Sequence, residues 1–272
     1  MPSAFFIRDL LPSLPSGKEW LAVSHGESGD SVYRRSDGAA FAKISQDRGA
    51  LALEGERRPI EWLSRFDLGS PQMLDWRIGE EGACLITSAV PGVPASDLDG
   101  RQLLQAWPSI AARIGALHAL AAEDCPFERG LSTMLARAAD VVSRGAVNPD
   151  FLRPEQQETD PADLLLALEA EREKRLAEEA GDRVVCHGDA CMPNFMVDPA
   201  TLRCTGMIDL GRLGTADRYV DLALMLANAG ESWSGPDQAQ AAFASLFEVL
   251  GLERPDRERL DFYLSLDPLT WG

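Results

Sequence analysis

The chain has 272 residues, 45% of them hydrophobic, with 43 Asp+Glu against 26 Lys+Arg and a formal net charge of -17. That much apolar material can build a sizeable core, as one large domain or two lobes, and argues against a disordered chain. So acidic a field repels nucleic acid and attracts cations, which fits either simple solubility or a polycationic substrate.

Residues 1–14 are mildly apolar, but Arg8 and Asp9 interrupt them and no basic segment precedes Phe5-Phe6-Ile7, so they make a poor secretory signal. No apolar run approaches the roughly 18 residues needed to span a bilayer. The five cysteines, Cys84, Cys125, Cys186, Cys191 and Cys204, are an odd count without a signal. Reduced thiols and a soluble, cytoplasmic protein off the membrane are the expectation.

The first third reads as strands. Residues 18–23, 31–35 and 39–44 are short β-like runs, and Ser36-Asp37-Gly38 is a hairpin turn signal. Residues 51–66 read as a helix with Leu53, Ile60 and Leu63 apolar, and Pro59 bends it or marks its start. Residues 72–76 and 83–88 form a second strand pair. Two Pro and two Gly between residues 90 and 100 mark a linker. Helices dominate afterwards. Leu103, Trp107, Ile110, Ile114 and Leu117 fall at helical spacing. Asp160-Pro161 is a helix start, with Leu164, Leu165, Leu168 and Leu176 on that helix. Residues 184–186, 195–197 and 205–208 are short strands, with a turn at Asp198-Pro199-Ala200 between two of them. Residues 219–227, 238–250 and 256–266 close the chain as helices. The outline is α+β: a small β-rich lobe, a linker, and a larger mainly helical lobe.

The chemistry concentrates near the end. His187-Gly188-Asp189 closes one strand, Asn194 follows five residues later, and Ile208-Asp209-Leu210-Gly211 places a second carboxylate after another strand. Two carboxylates and an amide on neighbouring loops suit a hard cation such as Mg²⁺. Phosphoryl transfer uses such a set: the cation bridges phosphates while a separate Asp orients the attacking hydroxyl. Upstream, Phe41-Ala42-Lys43-Ile44 is a strand lysine of the Val-Ala-Ile-Lys kind, and Glu56 on the next helix can pair with it. Against this stands the reading of Lys43 as an edge-strand solubility lysine. His25-Gly26-Glu27-Ser28-Gly29-Asp30-Ser31 could cover phosphates through backbone N–H groups and the Ser28 hydroxyl, or be an ordinary turn.

Cys186-His187-Gly188-Asp189 with Asn194, then Gly206-Met207-Ile208-Asp209-Leu210-Gly211-Arg212 and Asp217-Arg218 with Asp221-Leu222-Ala223, resemble the aminoglycoside phosphotransferases. Within that family the likeness is closest to the streptomycin 3″-phosphotransferases. It rests on Met192-Pro193-Asn194-Phe195-Met196, on residues 212–218 and on the ending Leu266-Asp267-Pro268-Leu269-Thr270-Trp271-Gly272.

The resemblance implies a two-lobed, protein-kinase-like fold, with a nucleotide-binding lobe over residues 1–88 and a hinge plus catalytic and substrate lobe over 89–272. It implies transfer of the γ-phosphoryl group of ATP, or GTP, to a hydroxyl of streptomycin, the 3″-hydroxyl, giving antibiotic resistance. Asp189 would be the catalytic Asp, and Asn194 and Asp209 the Mg²⁺ ligands. Lys43 would meet the nucleotide phosphates with Glu56 as its partner, under Ser28. Thr87, Ser88, Ala89 and Val90 would be the hinge strand at adenine. Asp189, Asp267 and the terminal carboxylate of Gly272 would face the aminoglycoside. The protein would act as a monomer or weak dimer. Some family members carry acids ahead of the helix that starts at Asp160; Arg153 stands at one such place here, so those contacts are not carried over.

Three other readings compete with this one. Another aminoglycoside, or a small hydroxylated metabolite such as choline, homoserine or a sugar, could be the acceptor. A non-enzymatic acidic module on the same fold is disfavoured by Lys43, Asp189, Asn194 and Asp209 together. Zinc on Cys186, His187, Cys191 and Cys204 is disfavoured by irregular spacing. His118, among core leucines, reads as a satisfied boundary histidine.

Overall fold

A computed structural model describes residues 10–14, 17–23, 31–46, 49–79 and 82–272. The chain folds into two compact units. The first runs up to Gly92 and takes in Thr205–Gly211; the second holds Val93–Cys204 and Arg212–Gly272.

The first unit is built on an antiparallel sheet. Its strands are β1 (Trp20–Ala22), β2 (Ser31–Arg35), β3 (Ala40–Gln46), β4 (Met73–Gly79) and β5 (Gly82–Ser88), in the order β1-β2-β3-β5-β4. Ser36-Asp37-Gly38 forms the expected turn: Gly38 takes φ 72 and donates its N–H to Arg35 O at 2.7 Å. Alternation sorts β3 into two faces. Ala40, Ala42 and Ile44 join Cys84 and Ile86 in a core closed by Leu10, Leu11, Trp20 and Tyr33. Lys43 lies on the opposite face, paired in register with Leu85. Helix α1 (Gly49–Leu63) packs on β3 and β5 and buries Leu53, Ile60 and Leu63. Pro59 sits inside this helix, so it does not mark its start.

In the second unit, helix α2 (Gly100–His118) begins at Asp99, which forms a capping box with Gln102. All five apolar residues read at helical spacing are buried on it, and the Trp107 indole N–H donates to Ala242 O at 2.8 Å. Helix α3 (Leu131–Ser143) follows. The run after Asp160 is two helices: α4 (Pro161–Glu169), capped by Asp160, and α5 (Arg172–Asp182), which carries Leu176. Strand β6 (Val93–Pro94) pairs with β8 (Phe195–Asp198), and β7 (Arg183–Cys186) pairs with β10 (Gly214–Asp217). Strand β9 (Arg203–Met207) carries the chain from the second unit to the first. Helices α6 (Tyr219–Gly230), α7 (Pro236–Val249) and α8 (Arg257–Leu266) complete the unit. Asp217 is fully buried at the end of β10, where Arg259 and the Tyr263 hydroxyl both bond its carboxylate. That network fastens α8 to the β7–β10 ladder. No helix among the described residues is long and apolar enough to cross a membrane.

Candidate active site

In the second unit, β7 ends at Cys186 and the chain turns sharply through His187-Gly188-Asp189. Gly188 has φ 80, and a Cβ there would lie 2.1 Å from the Arg212 carbonyl oxygen, so only glycine fits. The turn hangs on one buried carboxylate. The His187 and Gly188 N–H groups donate to Asp221 Oδ2 and Oδ1, both at 2.8 Å, and His118 Nε2 lies 2.9 Å from Asp221 Oδ2. Burial raises the Asp221 carboxyl, but the bond from His118 and the backbone donors outweigh it and hold the group below its ordinary range. An ionised carboxylate only accepts, so His118 donates from Nε2 whether neutral or protonated. The Asp189 N–H donates to His187 Nδ1 at 3.2 Å, which makes that nitrogen an acceptor.

Asn194 closes the loop. Its Nδ2 donates to the Asp189 carbonyl at 2.8 Å and to Asp189 Oδ2 at 3.0 Å. With the amide nitrogen spent there, the Asn194 carbonyl oxygen is the atom left to face a hard cation. An oxygen of this kind is what Mg²⁺ takes as a ligand.

A second cluster flanks the Asp189 loop. Asp267 is buried; Arg212 reaches it at 3.2 Å, Arg129 at 3.7 Å, and the Trp271 indole N–H donates to it at 2.9 Å. Burial pushes the Asp267 carboxyl up against the pull of the two guanidiniums. Burial and then Arg129 bring Arg212 down to about 10, so it stays cationic at neutral pH. A Cβ on Gly188 would lie 2.6 Å from Arg129 Cδ and 2.1 Å from the Arg212 carbonyl oxygen, which places the cluster beside the Asp189 turn. The Gly272 oxygen accepts from Arg137 at 2.9 Å and from Arg144 at 3.4 Å. Both acidic groups expected at the aminoglycoside are thus already paired with arginines of the chain.

In the first unit, Lys43 Nζ lies 2.8 Å from Glu56 Oε2, with both side chains mostly buried. The Asp209 loop belongs to this unit, and Gly211 runs beside Glu56. Asp209 takes φ 57, a left-handed conformation that Asp tolerates better than most residues. A close glycine crossing fixes the strand ahead of it: a Cβ on Gly206 would lie 1.8 Å from Gly69 O, and the Met207 N–H donates to that same oxygen at 3.3 Å. Thr87 and Ser88 end β5, and the Ala89 N–H donates to Ala39 O at 3.0 Å. Ser28 lies outside the described residues.

The zinc set is not assembled. Among the described residues the one metal-type grouping of His, Cys and acidic side chains is His118, Cys186 and Asp221. There Asp221 already accepts three N–H groups, and burial raises the Cys186 thiol well above its usual value. None of the five cysteines forms a disulfide. The arginines Arg129 and Arg212 escaped the sequence reading as site residues. Strand β10 escaped it too, because Gly214-Thr215-Ala216-Asp217 carries little β-branched or aromatic signal.

Residues 19–263 match the phosphotransferase enzyme family. The streptomycin 3″-kinase of Streptomyces griseus is 50% identical over 94% of this chain and 94% of its own. The aminoglycoside 3′-phosphotransferase of Streptomyces fradiae is 38% identical over 92% of this chain and 94% of its own. Among solved structures, the aminoglycoside phosphotransferase APH(3″)-Id from Streptomyces rimosus, in complex with ADP and streptomycin, superposes with a TM-score of 0.87 at 47% identity, covering 93% of each chain.

Proposed function

The chain belongs to the aminoglycoside phosphotransferase family, with its two-lobed, protein-kinase-like fold, and on that ground we propose that it phosphorylates streptomycin on the 3″-hydroxyl with ATP as donor. The similarity to the Streptomyces griseus enzyme over nearly the whole of both chains carries this reading.

The reaction asks for little covalent work from the protein. The substrate hydroxyl oxygen bonds to the γ-phosphorus as the bond to the β,γ-bridging oxygen breaks, and ADP leaves with the electron pair. Asp189 orients the hydroxyl and takes its proton, while Asn194 holds the Asp189 carboxylate in place. Asn194 and Asp209 would hold Mg²⁺, which neutralises phosphate charge when bound. Lys43, steadied by Glu56, meets the nucleotide phosphates. Ser28 covers them, and residues 87–90 meet the adenine. Residues 1–88 form the nucleotide lobe and residues 89–272 the catalytic and substrate lobe. Asp267 and Gly272 shape the acceptor side through the arginines that hold them. The enzyme works in the cytoplasm, as a monomer or weak dimer, and confers streptomycin resistance.

The test is product identification. Purified protein with Mg-ATP should convert streptomycin to a species heavier by one phosphoryl group, with the phosphorus coupled to the 3″ position in NMR. Phosphorylation of kanamycin and not of streptomycin would refute the substrate while leaving the family standing.

A further inference from the structure

The acceptor side of the second unit ends in aromatic surface that the mechanism above leaves unused. Phe151 is 45% exposed and is the one aromatic among the exposed large apolar side chains of the described residues. A single exposed ring is ordinary on a protein surface, so what singles out Phe151 is the ring it packs against and the site that ring adjoins. Its ring lies 6.3 Å from that of Trp271, with planes at 75°. Trp271 in turn donates to Asp267, the carboxylate that Arg212 and Arg129 also reach. A series of contacts therefore leads from the Gly188 turn ahead of Asp189, against which the Arg212 backbone packs, through Arg212 and Trp271 to Phe151.

The platform is held in place. Phe151 closes a 3₁₀ turn over Pro149–Phe151, in which the Asp150 N–H donates to the Asn148 side chain at 3.1 Å. The preceding segment packs on the chain's last residue, since a Cβ on Gly272 would lie 2.6 Å from Ala146 O. The site already contains one contact of the kind an aromatic wall offers: the Arg212 guanidinium stacks 3.5 Å from the Trp271 ring centroid.

Resting on the streptomycin reading, we infer that Phe151 is a substrate-contact residue whose ring, backed by Trp271, receives a guanidinium group of the acceptor. Streptomycin carries guanidinium groups, planar cations that lie well on aromatic faces. An aromatic wall selects for them over the compact, strongly hydrated ammonium groups of other aminoglycosides.

Kinetics on the intact enzyme test this. F151A should raise the KM for streptomycin about fivefold to tenfold, the range of one cation–π contact. Its kcat and its KM for ATP should stay within twofold of wild type. F151L keeps the bulk but not the ring quadrupole, and should match F151A; F151Y should match wild type. F151L kinetics equal to wild type would overturn the guanidinium contact in favour of simple packing. Unchanged F151A kinetics in an enzyme that turns over streptomycin would overturn this inference alone. A wild-type enzyme inactive on streptomycin would overturn the substrate reading and this inference with it. Thermal melts of each variant separate a kinetic change from a folding defect.

Discussion

His118 looks structural in the sequence, and in the fold it is tied through one carboxylate to the turn that carries Asp189. Its Nε2 donates to Asp221, and Asp221 holds the backbone of His187 and Gly188 ahead of Asp189. H118L removes that donor from a buried carboxylate. It should cost about 1.5–3 kcal/mol of stability, the worth of a hydrogen bond to a charged group. It should also lower kcat while the KM for ATP holds. H118Q, which can donate from its amide, should recover most of both; thermal melts and steady-state kinetics read the two effects. The thiols give a pH signature. Burial lifts Cys84 to about 11, and the thiols of Cys125, Cys186 and Cys191 are raised as well. A raised folded pKa means that this contribution to stability is whole below the ordinary thiol value of 9 and is lost as pH rises through the folded value. Urea midpoints should therefore fall between pH 9 and 11. Iodoacetamide at pH 8 should leave Cys84 unmodified until the protein unfolds. A flat midpoint over that range would contradict the assignment.

Glycine decides where two elements meet. Gly69 and Gly206 cross so closely that either Cβ would strike the other's backbone, at 2.0 Å from Thr205 O or 1.8 Å from Gly69 O. This crossing seats the strand that leads to Asp209 within the first unit. G206A should destabilise the protein by more than about 3 kcal/mol, beyond ordinary overpacking, because backbone must move. A thermal melt within a degree of wild type would contradict that geometry. Elements with strong local signals were legible in the sequence: the β2–β3 hairpin around Gly38, the apolar face of α2, and the Asp160 cap of α4. Strand β10 and helix α3 were not, because partners far away in sequence define them. Strand β10 gets its hydrogen bonds from β7, and the Leu131 N–H at the start of α3 is capped by Glu179 at 2.7 Å. The break between α4 and α5 was missed because Ala170 and Glu171 are good helix formers with no breaker near them. The site divides the same way. The order Lys43, Glu56, Asp189, Asn194, Asp209 could be read along the chain. The paired state of Asp267 could not, since Arg129 and Arg212 reach it only through folding.

Taken over the full chain, a net charge of -17 should draw a polycationic acceptor toward the protein. Salt screens that attraction over about 8–10 Å at physiological ionic strength. The KM for streptomycin should rise several-fold between low and high salt while kcat changes little. A flat KM would contradict charge-driven capture. Whether this chain is a streptomycin kinase working through Asp189 is decided by ADP release with Mg-ATP and streptomycin, comparing wild type with D189N. D189N keeps the volume of Asp189 but gives up the proton acceptor. Its kcat should fall by about 10²–10⁴ with nucleotide binding intact. Wild-type turnover on streptomycin with that loss is the predicted result; D189N turning over streptomycin at the wild-type rate would contradict it.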